Sequence, residues 1–360
     1  MKNRKIMITG ANGYIGLPLY QVLKRKHGKE NVIGVDNNTR SFWVRSLDCI
    51  SATVPKYPDE IVNLDLRNSR KVKELLKEHK PDVIINLAAQ PSAPYSEESS
   101  GHATFTQNNN MSILRNFLWG LKELNMHKDT HLVHATTTGI YGAPNKKIEE
   151  TSDCPLRGGS WYHMAKCFDT RNLGLANKQW KQAISDVRVS IVYGAKYKDI
   201  TTRFDFDYWF GVVAHRFMAQ ALAGYPLTVY GKGKQRKPFV YLGDVVDSFV
   251  NLAEQDWKKG QLKLYNQTAQ AESINELASQ ISNNTKCEVK HIPNPRVENE
   301  EHQMEIANDN FVELLGREPV KLKEGIKLLH KQVKDLSAVF KRYKDKFLPD
   351  DLKEDKSKKK

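Results

Sequence analysis

Cysteine is scarce in this chain. Four are scattered through 360 residues, at Cys49, Cys154, Cys167 and Cys287, and none forms a CxxC pair. That excludes a disulfide framework and a cysteine-based zinc site, and it points to a reducing, cytoplasmic setting. No other metal-ligand spacing stands out, so no metal is expected. Long apolar runs are missing too, which excludes a bilayer-spanning helix. The first residues, MKNRKIMITGANG, pass from a basic tip into a strand-like run that is too short for a signal peptide. Repeats and low-complexity linkers are also absent. What remains is 39% hydrophobic and 27% charged residues, the balance of a soluble globular protein.

Acidic residues are in deficit. The formal net charge is +14, and residues 321–360 hold 14 Lys/Arg against 7 Asp/Glu, half of that excess. The last stretch, 346–360, reads as a solvated basic tail. Such a tail serves solubility, or it touches nucleic acid or an anionic membrane.

Strand-like and helix-like patterns alternate from the start. KIMIT (Lys5–Thr9) precedes GANGYIG, an apolar-periodic segment from Tyr14 to Leu23, and a second strand, NVIGVD, ending at Asp36. VNLDLR (62–67), a helix stopping at Pro81, DVIINLAA (82–89), a helix over 104–124, THLVHATTT, a helix toward Trp180 and DVRVSIVYG continue the rhythm. This predicts an α/β fold with a doubly wound parallel sheet. Residues 1–194 are expected to form the dinucleotide-binding unit. Residues 195–345 are expected to form a smaller, partly interleaved α+β lobe, with elements near 239–266 returning to the sheet.

Glycines three apart at Gly10, Gly13 and Gly16 let the backbone turn tightly, approach a pyrophosphate and open a helix. Asp36, at the end of the next strand, suits two ribose hydroxyls and repels a 2′-phosphate, which favours NAD; Arg40 leaves NADP open. Asp65 and Leu66 stand where an adenine is bracketed.

The segment SWYHMAK sets Tyr162 one helical turn before Lys166. A nearby cation stabilises a phenolate, so the pair is expected to act as a general base. Strand alternation makes Thr137, rather than Thr136 or Thr138, the third member. His163 reads either as a proton carrier or as packing.

This set resembles the extended short-chain dehydrogenase/reductase family, which includes nucleotide-sugar epimerases and dehydratases. The resemblance spans roughly residues 4–340. It is greatest to the sulfoquinovose-forming branch, through QPSAPYS (90–96), TQNNN (106–110), LVHATTTGIYGAPN (132–145), WYHMAK, PLTVYGKGKQ (226–235), NQTAQAESINELA (266–278) and NPRVENEEH (294–302). It implies NAD as cofactor, UDP-glucose and sulfite as substrates, and a homodimer packed through helices near 104–124 and 161–180. The catalytic set it implies is Thr137, Tyr162 and Lys166 with His163. Cofactor contacts are implied for Gly10, Asn12, Gly13, Tyr14, Ile15, Gly16, Asp36, Asn37, Arg40, Asp65, Leu66, Leu87, Ala88, Ala89 and Asn109, besides Tyr162 and Lys166. Substrate contacts are implied for Gln90, Ser92, Tyr95, Thr137, Thr138, Arg203, Asp205, Gln235, Lys237, Arg296 and His302, with Glu298 as support for Arg296. Thr138-Gly139 stand where ordinary 4,6-dehydratases carry an acidic pair. The chain departs from its branch at Pro91, Thr138, Ile140, Lys237 and Pro238. Two other readings are a UDP-sugar 4-epimerase or dehydratase that uses no sulfite, and a non-catalytic NAD-binding scaffold for RNA.

Overall fold

The computed structural model describes residues 4–46, 49–144, 147–151, 156–294, 304–349 and 352. The first half alternates β1 (Ile6–Thr9), α1 (Gly16–His27), β2 (Val32–Asp36), α2 (Thr39–Arg45), β3 (Val62–Asn63), α3 (Ser69–His79) and β4 (Val83–Asn86). Then come α4 (Ala93–Ser96), α5 (Ser100–Glu123), β5 (His131–Thr137), α6 (Trp161–Trp180) and β6 (Ala183–Val189). The second half holds β7 (Ile191–Tyr193), β8 (Lys196–Tyr197), β9 (Ile200–Thr201), α7 (Val213–Ala223), β10 (Leu227–Tyr230), β11 (Arg236–Tyr241), α8 (Leu242–Glu254) and β12 (Leu262–Gln267). It ends with β13 (Gln270–Ser273), α9 (Ile274–Thr285), β14 (Val289–Ile292), α10 (Asp309–Leu315), α11 (Leu322–Val333) and α12 (Ser337–Arg342).

Seven strands form one parallel sheet in the order β12-β6-β5-β4-β1-β2-β3. The order reverses between β1 and β4, so a crevice opens there at the carboxyl ends of the strands. Strand alternation divides the core in two. Ile6, Ile8, Val83 and Ile85 face α1 and α8, with Leu19, Leu23, Val245 and Phe249. Met7, Ile84, Leu132 and Ile184 face α3, α5 and α6, with Leu76, Phe117 and Leu173. A third core, around Phe204, Phe217, Leu227, Phe239, Leu277 and Leu329, joins α7, α9 and α11 to β10 and β11.

Several boundaries differ from the sequence reading. VNLDLR pairs only over Val62–Asn63, because β3 is an edge strand and the chain leaves it at once for α3. DVIINLAA stops pairing at Asn86, and the following residues turn over the crevice. DVRVSIVYG breaks at Ser190: β6 stays in the main sheet, while β7 joins β11 and β13 in a second one. α3 ends as expected before Pro81, with Lys80 left-handed at φ 43°.

Candidate active site

The glycine turn is tight for a measurable reason. A Cβ on Gly16 would lie 2.0 Å from the Gly10 carbonyl oxygen, and one on Gly13 would lie 2.7 Å from it. Gly10 has φ +68°, and a Cβ there would stand 3.0 Å from the Leu87 and Ala88 backbone. The turn therefore presents bare backbone to the crevice, as a pyrophosphate requires. Asp36 accepts from the Asn12 amide at 2.9 Å and the Asn38 amide at 2.8 Å. Burial raises its pKa against those bonds and the nearby Arg203 charge.

Arg40 does not wait for a 2′-phosphate. Its guanidinium donates to Asp205 Oδ2 at 2.9 Å and lies 3.4 Å from the centre of the Phe210 ring. Arg203 stands 3.6 Å from the same carboxylate and reaches the Asn12 carbonyl at 3.5 Å. Arg203 and Asp205, expected at the substrate, thus meet Arg40 and the Asn12 turn. A short antiparallel bridge, Ser51 to Asp205, ties this segment to the chain after α2. Buried polar atoms here lack hydrogen-bond partners, among them Asn12 Oδ1 and Asp205 Oδ1. Bare glycine backbone, a carboxylate at the end of β2 and orphaned polar atoms together fit a dinucleotide.

These residues line one cavity of about 830 Å³ that runs on to Thr137, Tyr162, His163 and Lys166. It also takes in the expected Leu66, Ala89, Asn109, Gln90, Ser92, Thr138, Gln235 and Lys237. Asn12, Asp65 and Tyr95 lie outside its lining. Asn12 acts through its backbone on Asp36. Asp65 turns instead to Arg67 at 2.6 Å, and Leu64 and Leu66 take the place expected of it. Tyr95 packs on Trp43 at 5.4 Å and on Phe210 at 5.7 Å. Arg296, Glu298 and His302 lie outside the described residues.

The sequence reading missed several lining residues. Arg216 on α7 sits 4.2 Å over the Tyr230 ring, a buried cation at the far end from the glycine turn. Its one signal was a lone arginine in an otherwise apolar helix. Trp43, Phe105 and Phe210 were missed because each comes from a different element.

The catalytic end is built on the start of α6. Ser160 caps the helix, accepting from the His163 amide at 3.1 Å, and its hydroxyl also meets His163 Nδ1 at 3.0 Å. Two more first-turn amides are met from α4: Trp161 N donates to Glu97 at 2.9 Å and Tyr162 N to Ser96 Oγ at 3.1 Å. The SAPYS stretch is thus a socket for the catalytic helix. Gln90 and Ser92 line the cavity, but their side chains are engaged within the protein. Gln90 Nε2 donates to Thr106 at 2.9 Å, and the Ser92 hydroxyl accepts from the Tyr95 amide and donates to the Trp209 carbonyl.

Thr137 stands close enough to Tyr162 to favour its phenolate, while its hydroxyl donates to the Val189 carbonyl at 3.2 Å and accepts from the Gly139 amide at 3.1 Å. Thr136 turns away to Asp186. The electrostatics differ from expectation. Burial pushes the Tyr162 phenol well above its ordinary value; the Thr137 hydroxyl pulls it back and the Asp169 carboxylate raises it further. Lys166 is no free cation beside the phenol, because it donates to the Ala135 carbonyl at 2.9 Å and to Asp169 at 3.2 Å. His163 lies against Gly139, and burial with the Lys237 charge pushes its pKa down to about 4. It is a neutral imidazole facing the cavity.

Residues 6–266 match the model of the NAD dependent epimerase/dehydratase family. The chain is 30% identical to the chloroplastic UDP-sulfoquinovose synthase of Spinacia oleracea, over 90% of this chain and 74% of that one. It is also 30% identical to the UDP-sulfoquinovose synthase of Sulfolobus acidocaldarius, over 96% of both chains. In fold it is similar to a UDP-glucose 4-epimerase of Thermotoga maritima solved with UDP-glucose (TM-score 0.75, 20% identity, 92% of this chain and 99% of that one). A UDP-glucuronic acid 4-epimerase of Bacillus cereus, solved with UDP-glucuronic acid and NAD, gives a TM-score of 0.72 at 22% identity, over 92% of this chain and 99% of that one. The chain belongs to the NAD dependent epimerase/dehydratase family, and its cofactor is NAD.

Proposed function

We propose that this member of the family joins sulfite to carbon 6 of UDP-glucose, forming UDP-sulfoquinovose with loss of water. The observation that carries the reading is the fit between Gly139 and His163. A Cβ on residue 139 would stand 2.3 Å from His163 Nε2, so the chain has a neutral imidazole where an acidic pair would otherwise follow the catalytic threonine. The two relatives named UDP-sulfoquinovose synthase support it.

The glycine turn and Asp36 would hold NAD, which would supply a reversible hydride acceptor for sugar C4. Tyr162 accepts the 4-hydroxyl proton, and Thr137 holds the same oxygen. Lys166 keeps a positive charge close by. The 4-ketone acidifies the hydrogen on C5. His163, neutral and able to accept a proton, takes it. The same imidazolium returns that proton to the departing 6-hydroxyl, so the C6–O bond breaks and water leaves. Sulfite sulfur then bonds to C6 of the 4-keto-5,6-ene, with Lys237 near the incoming anion, and His163, reprotonated from solvent, delivers a proton to C5. Tyr162 gives its proton back to O4 as hydride returns. Arg216 and Gln235 grip the nucleotide end. The whole chain works as a homodimer, with residues 1–345, which precede the basic tail, forming the catalytic unit.

The test is incubation with UDP-glucose, NAD and sulfite, followed by mass spectrometry. A sulfonated UDP-hexose is expected. Clean 4-epimer with no sulfonate under any condition sinks the reading and favours a 4-epimerase.

A further inference from the structure

Behind the cavity wall, a file of polar side chains crosses the interior of the sheet. The Ala88 amide donates to Thr9 Oγ1 at 3.3 Å, and Thr9 donates to Asn86 Oδ1 at 2.6 Å. That commits the Asn86 amide nitrogen to His134 Nδ1, at 2.9 Å. With Nδ1 accepting, the ring hydrogen of His134 sits on Nε2 and points to Asp169 Oδ2 at 3.2 Å. The same Asp169 oxygen takes Lys166 Nζ, also at 3.2 Å. Thr9, Asn86, His134, Lys166 and Asp169 are all buried, and Asp169 has no exposure at all. None of Thr9, Asn86, His134 or Asp169 belongs to the catalytic set described above.

A carboxylate without exposure is costly unless paired and hydrogen-bonded. Here both conditions are met, by a cation and by a tautomer fixed from two strands away. We propose that Asp169 is a positioning residue for the reaction: held by His134 and Asn86, it fixes the Lys166 ammonium on the Tyr162 face of α6 and sets there a negative charge that the cofactor's positive charge offsets. The inference rests on the reading of Tyr162 as base.

The direction follows from charge. Burial would raise the Asp169 carboxyl, but Lys166 and His134 hold it below the usual range, so it is an anion. Burial and the Lys166 charge lower His134, so it donates as a neutral ring. The ionisable groups facing the pair are Tyr162 and Lys166 on α6, His134 on β5 and Asp186 on β6. Asp186 is itself paired with Arg188 at 3.1 Å, and His163, under the charge of Lys237, lies with its ring centre 5.3 Å from that of Tyr162. A fixed negative charge beside a phenol opposes its ionisation. An oxidised nicotinamide brings the opposite charge to the same place. Asp169 thereby ties the readiness of the base to the presence of the cofactor.

The test is spectroscopic and uses no sugar. Phenolate absorbance of the protein, with and without NAD, is followed against pH, and the same titrations of Tyr162→Phe are subtracted, leaving the signal of Tyr162 alone. Asp169→Asn is expected to move that titration down by about one pH unit, a tenfold fall in proton affinity. His134→Leu, which strips a hydrogen bond from the carboxylate and leaves its charge, is expected to move it slightly up, with His134→Gln restoring it. Opposite shifts from two variants of one file are not produced by loosened packing. An unmoved titration in a folded Asp169→Asn protein overturns the proposal. Should Asp169→Asn not fold, an unmoved His134→Leu titration does so. A protein that shows the shifts but forms no sulfonate keeps this inference and loses the proposed reaction.

Discussion

At the scale of single residues, two small choices decide the chemistry. Gly139 leaves the space that the His163 ring occupies. In Gly139→Ala the new methyl group must displace the imidazole. Hydride exchange between NAD and UDP-glucose is expected to survive within about tenfold. Sulfonate formation is expected to fall by at least a hundredfold, in the range that removal of a general acid–base group costs. Mass spectrometry of products beside absorbance of the reduced cofactor reads both at once. Arg40 is the second choice. The sequence left it available to a 2′-phosphate, but its side chain is held by Asp205 and Phe210, while Asp36 stays at the end of β2, bonded to the Asn12 and Asn38 amides. Asp36→Asn alone is therefore expected to weaken NAD without creating tight NADP binding, which calorimetric titration with each cofactor checks. A gain of NADP affinity to the level of NAD would show that Arg40 is free. What stayed hidden at this scale is what stands behind a residue. Tyr162 and Lys166 are legible from their spacing. The partner that most alters their charge balance, Asp169, looks in the sequence like any polar helix residue. Its neighbour His134 comes from a different strand, so no spacing could join them.

At the scale of elements, the sequence was most legible where one period ran unbroken. β1, β2, β5 and α6 fall where the apolar pattern and the glycine turn predict them, and the helix over 104–124 begins four residues earlier, at Ser100. The short α4 was not legible, because four residues carry no period. Its sequence, SAPYS, was noticed as a motif, and the structure supplies the reason: it caps α6. Ser96 Oγ accepts the Tyr162 amide at 3.1 Å and donates to the Ala93 carbonyl at 2.7 Å. Loss of a helix-terminal acceptor costs about 1 kcal/mol. Ser96→Ala is expected to lower unfolding free energy by about that amount in urea titration. Hydride transfer should slow as well, because the amide released belongs to the catalytic tyrosine. Loss of stability with unchanged hydride transfer would confine the socket to folding. The segment from Arg203 to Gly211 was equally hard to read. It has no period, yet it carries residues that reach the glycine turn, α2 and the aromatic group around Tyr95.

At the scale of the whole molecule, buried histidines set the response to acid. His131 and His215 are 2% and 3% exposed, and burial pushes each down to about 4. The unfolded chain takes those protons near pH 6.5, so between about pH 6.5 and 4 it binds more protons than the folded one. Stability is then full above that window and falls as pH drops through it, by up to about 1.4 kcal/mol per pH unit for each histidine. Urea midpoints at pH 7 and pH 5 check the fall. His215→Gln can accept from the Gly194 amide and donate to the Asp205 carbonyl as the ring does, so it should remove one histidine's share from a slope to which His131 and His163 also contribute.

The surface argues about assembly in the same physical terms. Eight large apolar side chains are exposed among the described residues, and five of them sit on α5 and α6: Trp119, Trp161, Met164, Phe168 and Leu175. On α6 the steps are three, four and seven residues, which keeps 161, 164, 168 and 175 on one stripe. The stripe lies opposite the buried Lys166, Asp169 and Leu173, so the helix carries the catalytic pair on one side and an uncovered apolar seam on the other. Trp119 joins it from α5, packed edge-on against Trp180 at 4.8 Å. Scattered single hydrophobics need no explanation, whereas a contiguous stripe marks an interaction surface. A second copy packing the same two helices would cover it with matching chemistry and close as a two-fold dimer. Sedimentation is expected to give a dimer, and Phe168→Glu with Leu175→Lys a folded monomer. Because α6 also carries Tyr162 and Lys166, that monomer should lose turnover while its glycine turn still binds NAD. A monomeric wild-type chain with full activity would leave the stripe for some other partner.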